Sequence, residues 1–91
     1  MTPKVPTEEL SLLCKALAHP VRVQILYLLR ERRCLCGDLV EALPVAQSTV
    51  SEHLRILKQA GLIDDEAEGP RRHYRVNQRL LERLKVLIAT L

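Results

Sequence analysis

Three cysteines and one polar helix face hold most of the chemistry available to this 91-residue chain. Cys34 and Cys36 are separated by one residue, and Cys14 lies well upstream. Thiolates bind soft ions, and As(III) or Sb(III) is satisfied by three sulfurs. Cys14, Cys34 and Cys36 are therefore the candidate ligands for a thiophilic ion. Two of them could instead close a redox disulfide. A Cys-x-Cys bridge makes a strained small ring, which favours Cys14 as one partner. The bland reading is that all three pack as small hydrophobes.

A second constellation is polar. In the stretch Gln47-Ser48-Thr49-Val50-Ser51-Glu52-His53-Leu54-Arg55-Ile56-Leu57, the residues Val50, Leu54 and Leu57 recur at helical spacing and define a buried face. The opposite face carries Ser48, Ser51, Glu52 and Arg55. Small hydroxyl residues there allow close approach to a DNA groove, and their oxygens can reach phosphates or base edges. Gln47 can bond adenine or cap the helix. Arg55, a turn further on, can hold a phosphate. Glu52 repels phosphate; it could accept from a cytosine amino group, but is expected at the groove's edge, toward solvent. His53 falls toward the buried side and reads as a structural histidine. The competing reading is an ordinary solvated helix face. Further on, Arg71, Arg72 and Arg75 are candidates to straddle a phosphate backbone or enter a minor groove; for Arg75 a solubilising hairpin is an equal reading.

These residues need elements to position them. Residues 1–6, with Pro3 and Pro6, read as an irregular flexible arm. Thr7 is the expected N-cap of a first helix, with Glu8 and Glu9 in its first turn and Leu10, Leu13, Cys14 and Leu17 as its apolar stripe. His19-Pro20 ends that helix and starts a second, buried through Val21, Ile25, Leu28 and Leu29. Residues 34–36 read as a brief strand, 37–43 as a short helix, 44–46 as a tight turn and 47–60 as a fourth helix stopped by Gly61. Leu62 and Ile63 begin an extended piece, residues 64–70 read as polar and turn-rich with a tip at 66–71, and residues 72–76 form the returning strand. Asn77 caps a last helix to residue 91, with Leu80, Leu84, Leu87, Ile88 and Leu91 on one face.

Two helices joined by a tight turn and followed by a β-hairpin make a winged helix-turn-helix. The expected fold class is mainly α, with about five helices and a two- or three-stranded wing sheet. The chain reads as one domain, 1–91: arm 1–6, dimerisation helices 7–18 and 78–91, helix-turn-helix 37–60, and wing 62–76. The paired apolar stripes of the first and last helices exceed what a chain this short buries alone, so a homodimer is expected.

Composition narrows the function. There is no Trp or Phe and only two Tyr, which argues against aromatic platforms for single strands. The net charge is +3, but its placement is uneven: residues 1–69 carry −2 and residues 70–91 carry +5. No apolar run reaches the ~18 residues of a membrane span, and residues 1–6 lack an export signal's apolar core, so the expected location is the cytoplasm. An odd cysteine count in such a chain argues against a disulfide framework. No phosphate loop, nucleophile elbow or His-Glu-x-x-His pair is present, so no enzyme is expected.

The segments ALAHPVRVQILYLL (16–29), GDLVEALPVAQSTVSEHLRILKQAGLI (37–63) and GPRRHYRVN (69–77) resemble the ArsR/SmtB family of dimeric winged-helix repressors, over roughly residues 10–77. The resemblance implies double-stranded operator DNA as partner, contacts from Gln47, Ser48, Thr49 and Ser51, and release of DNA when an effector binds. Pro44 stands where the family's turn often has Gly, which excludes a left-handed residue there. Metalloid-sensing members often carry Cys-Val-Cys-Asp-Leu at the start of the third helix; here it is Cys-Leu-Cys-Gly-Asp-Leu, one residue longer. Residues 77–91 contain no His, Cys or Asp, which disfavours the zinc-responsive site of other members.

The leading expectation is a DNA-binding repressor released by a thiophilic metalloid or metal, or by thiol oxidation. No cofactor is implied beyond such an ion. The alternatives are a winged-helix protein-interaction module, a regulator whose chain binds no effector, and a thiol oxidoreductase or metallochaperone. The last lacks thioredoxin spacing and a βαβ frame. An apolar rather than hydroxyl-rich outer face on the fourth helix would favour the interaction module.

Overall fold

Proline, histidine and asparagine set the helix boundaries. The structure, a computed structural model, describes residues 6–91. The expected arm therefore lies outside the described residues except for Pro6. Helix α1 (Thr7–Leu17) has Pro6 at its N-cap and no side-chain cap. Thr7, expected as the cap, is instead the first helical residue. Helix α2 (Pro20–Glu31) turns away at 90°. His19 caps it, its Nδ1 accepting from the Val21 N–H at 3.1 Å, and Pro20 fills the first turn, where no donor is needed.

Strand β1 (Cys34–Leu35) leads directly into α3 (Cys36–Ala42), so Cys36 opens a helix rather than ending a strand. The Asp38 carboxylate accepts from the Leu35 N–H at 2.9 Å and fixes that junction. Helix α4 (Gln47–Gln59) follows after four residues and ends at Gly61, whose φ of 85° only glycine adopts readily.

The region expected to be turn-rich is mostly strand. Strands β2 (Ile63–Glu68) and β3 (Arg71–Val76) pair from Ile63↔Val76 to Glu68↔Arg71, leaving only Gly69-Pro70 as the turn. Gly69 has φ 60°, as the first central position of a type II′ turn requires, and Pro70 suits the second. Polar composition hides the strands because this hairpin stands largely in solvent and needs no apolar alternation. Strand β3 is central in the order β1-β3-β2, all antiparallel. Helix α5 (Gln78–Ala89) is capped by Asn77, whose Oδ1 accepts from the Leu80 N–H.

The core is aliphatic, and Ile25, Leu39, Val50, Leu57 and Leu62 are wholly buried. It joins α1, α2, α3, α4 and α5 to the base of the hairpin. The α1 stripe is rotated from expectation: Leu10, Leu13 and Ala16 are buried, whereas Cys14 is exposed. On α5, Leu84 and Leu87 are core residues and Ile88 is exposed; the helix ends at Ala89, and Leu91 beyond it is exposed too. No single helix among the described residues is long and apolar enough to cross a membrane.

Candidate nucleic-acid interface

Helix α4 presents its two faces as the spacing demands. Val50, His53, Leu54 and Leu57 are buried; Gln47, Ser48, Thr49, Ser51, Glu52 and Arg55 are exposed. The N-cap is Ala46 and gives no side-chain cap, so the first-turn N–H groups point out beside Gln47 and Ser48 without a competing side-chain acceptor. Among the described residues, the exposed large hydrophobics are Leu12, Tyr27, Val86, Ile88 and Leu91, none of them on α4. The outer face is thus hydroxyl-rich and polar.

His53 is the structural histidine its position implied. Its Nδ1 lies 3.0 Å from Arg22 Nη1, so the ring accepts there and is neutral. Arg22 also donates to the Ala16 carbonyl at 2.6 Å, and the His19 ring centroid is 4.3 Å from that of His53. Arg22 therefore ties the end of α1 to α4. Burial, followed by the neighbouring His19 and the Arg22 charge, holds the His53 pKa below the usual histidine value.

The candidate phosphate contacts are mostly engaged with acids of the same chain. Both oxygens of Glu52 accept from Arg55, at 2.6 and 2.9 Å, and Arg55 Nη1 donates to Gln59. That bonding lowers the Glu52 pKa and raises that of Arg55. On the wing, Arg72 Nη1 donates to Asp65 at 2.7 Å, and Lys58 of α4 donates to the same carboxylate at 3.0 Å. Arg75 and Arg33 approach Glu66, and His73 Nε2 lies 2.7 Å from Glu68. Arg71, beside the turn, is exposed and has no ion-pair partner among the described residues.

The cysteines are not gathered. Among the described residues no three His, Cys, Asp or Glu side chains stand together in a way that could hold a metal ion. Cys14 is exposed on α1, Cys34 is buried, and Cys36 is half-buried in a cleft beside Asp38, Glu41 and Arg71. The Cys34 Sγ donates to the Arg32 carbonyl at 3.6 Å, and burial raises its thiol pKa. For Cys34, burial outweighs any activation from the nearby N-terminus of α3. In this arrangement the three sulfurs do not form a single cluster among the described residues.

Two groups that tie elements together are not evident from sequence, Arg22 and Asp65. Strand alternation puts Asp65 on the same face as buried Ile63, a signal that its acidic neighbours mask.

Comparison with known proteins places this geometry. The profile described as bacterial regulatory protein, arsR family, matches residues 19–65. A HTH-type transcriptional repressor SmtB of Mycobacterium tuberculosis is 47% identical over 64 residues, which are 70% of this chain and 47% of that protein. An arsenical resistance operon repressor of Bacillus subtilis is 45% identical over 65 residues, 69% of this chain and 61% of that protein. The chain thus spans about half to three-fifths of the length of these relatives. Among solved structures, a homodimeric winged helix-turn-helix DNA-binding domain from Mycobacterium bovis aligns with TM-score 0.78 and 31% identity, covering 92% of this chain and 78% of that one.

Proposed function

The chain belongs to the bacterial ArsR family of regulatory proteins, and on that premise we propose that it is a homodimeric transcriptional repressor that binds double-stranded DNA sequence-specifically. One observation carries the reading. Helix α4 turns an exposed Gln47-Ser48-Thr49-x-Ser51 surface outward, and a hairpin bearing Arg71 and Arg72 stands beside it. The helix enters the major groove, with Gln47, Ser48, Thr49 and Ser51 at base edges and adjacent phosphates; Arg71 and Arg72 hold the backbone. Arg55 reaches a phosphate only by exchanging Glu52 for it. Residues 7–18 and 78–91 supply the dimer contact. The polar outer face of α4 disfavours the protein-interaction alternative.

Selection from a random duplex library followed by anisotropy titration tests this. The enriched sites should be two-fold symmetric. Arg72→Ala should weaken binding to every sequence and flatten the salt slope by about one unit for each phosphate it no longer neutralises, whereas Gln47→Ala should relax sequence choice. An unchanged slope in Arg72→Ala would remove the wing from the interface.

For the effector, we propose release through thiols, supported by the Cys34-x-Cys36 pair and by similarity to a repressor of arsenical resistance. The site proposed is Cys34 with Cys36, or thiols from two protomers with Cys14 as a contributor, supported by the three cysteines not forming one cluster among the described residues. Burial of Cys34 favours a second reading, in which the cysteines are packing residues and the chain binds no effector. Release of the selected duplex by As(III), Sb(III), Cd(II) or diamide, compared across wild type, Cys14→Ser, Cys34→Ser and Cys36→Ser, separates the two. Equal response in all four proteins excludes the thiols.

A further inference from the structure

A carboxylate beside a DNA-facing groove is an anomaly, because it repels phosphate. Asp65 is such a group. It shares a cleft between α4 and the wing with Ser51, Arg55, Lys58, Arg72 and Tyr74. Its side chain is only 11% exposed, whereas those of Lys58 and Arg72 are 52% and 56% exposed. Lys58 Nζ lies 3.0 Å from its oxygens, and Arg72 Nη1 lies 2.7 Å away. The other wing acids differ. Glu66 and Glu68 are more than half exposed, and the cations they meet are on β3 or before β1. Among the described ion pairs, only Lys58–Asp65 links the wing to α4.

We propose that Asp65 is a positioning residue for DNA binding: its carboxylate pins Lys58 of α4 and Arg72 of β3 side by side, so that both cations meet the same strand of phosphates. The assignment rests on the DNA-binding reading above. A lysine has three donors and an arginine five, so one anchoring bond each leaves most donors facing out. The carboxylate lies on the floor of the cleft, and the cations lie between it and solvent. The trio keeps a net charge of +1, which is enough to attract a phosphate, and it arrives preordered. Two long side chains that start free would lose their rotamer freedom on binding, and that loss weakens affinity. The bridge also fixes the wing relative to α4. Groove contacts and backbone contacts must be made together, so that angle decides whether a base sequence is read or merely touched.

The test compares wild type, Asp65→Asn and Asp65→Glu on two duplexes: one enriched by the wild type from a random library, and a scrambled duplex of the same composition. Asp65→Asn removes a negative charge at constant shape. The expected result is a fall in affinity for the enriched duplex of roughly tenfold, as when one or two charge-assisted hydrogen bonds to phosphate fail to form. Affinity for the scrambled duplex should hold or rise. The salt slope on the enriched duplex should become shallower by about one unit for each phosphate left without its cation. Asp65→Glu should recover part of the selectivity. Adding Lys58→Ala to Asp65→Asn should cost less than Lys58→Ala costs in wild type. Thermal melts run alongside, and weaker binding on both duplexes in proportion to a reduced folded fraction would make the role purely structural and overturn the proposal. Equal tightening on both duplexes would reduce Asp65 to plain repulsion and overturn it too. If the wild type enriches no sequence, the DNA-binding reading falls, and this one with it; if it enriches one and Asp65→Asn keeps full selectivity, only the role of Asp65 falls.

Discussion

At the residue scale, His53 makes a stability prediction with a definite sign. It is neutral, accepts from Arg22, and is faced by His19 and Glu52 as well. Its folded pKa lies below the unfolded value, so folding is opposed by protons. The contribution is complete above the usual histidine pKa of about 6.5 and is lost as pH falls from there through the lowered folded value. Urea midpoints should therefore drop between pH 7.5 and 5.5. His53→Asn keeps an acceptor for Arg22 but does not titrate, so its drop should be smaller; an equal drop would place the acid sensitivity on another group. Leu57, wholly buried on the same helix, sets the scale for packing: Leu57→Ala should cost about 2–5 kcal/mol by chemical denaturation. Both residues are legible in the sequence, because an amphipathic helix declares its buried face by spacing alone. The exposure of Cys14 is not. Ala16 takes part in burying α1, and so small an apolar side chain adds little to a sequence stripe while rotating the face enough to leave Cys14 in solvent.

At the element scale, one junction joins three elements. Asn77 caps α5 with its oxygen, donates from Nδ2 to the Gly61 carbonyl at 2.9 Å, and donates from its backbone N–H to the Leu62 carbonyl. The end of α4, the start of β2 and the start of α5 thus meet at one residue. Asn77→Ala should cost about 1 kcal/mol for the cap, and more for the missing donor. Asn77→Asp keeps the cap and loses only the donor, so its thermal midpoint should fall between wild type and Ala. Gly61→Ala should also destabilise, since φ is 85° and a Cβ would sit 3.0 Å from Leu80 Cδ2. Melting temperatures equal to wild type would show that the junction relaxes freely. The helices, their order and the cap at Asn77 are readable from periodicity and punctuation. The length of the wing strands is not, because along the solvated outer part of the hairpin cross-strand charge pairing substitutes for apolar alternation.

For the whole molecule, the proposed dimer face must lie outside the core. Leu84 and Leu87 are buried within the protomer, so charging them tests folding rather than association. Leu12 on α1 and Val86 on α5 are 59% and 62% exposed, and the Glu9–Arg83 pair at 2.7 Å holds the two helices together. Leu12→Glu with Val86→Glu should leave a folded monomer by circular dichroism and light scattering, with half-site rather than full-site footprints. A dimer that persists would move the interface elsewhere. The matched acids and bases of the hairpin have one more consequence, in the time domain. On the DNA-binding reading, a wing whose bases are largely balanced by neighbouring acids adheres weakly to random duplex, because those carboxylates offset part of the attraction for phosphate. On that same reading, residence on the wrong sequence is short, so scanning is fast and arrest comes where base contacts add to the weak backbone attraction.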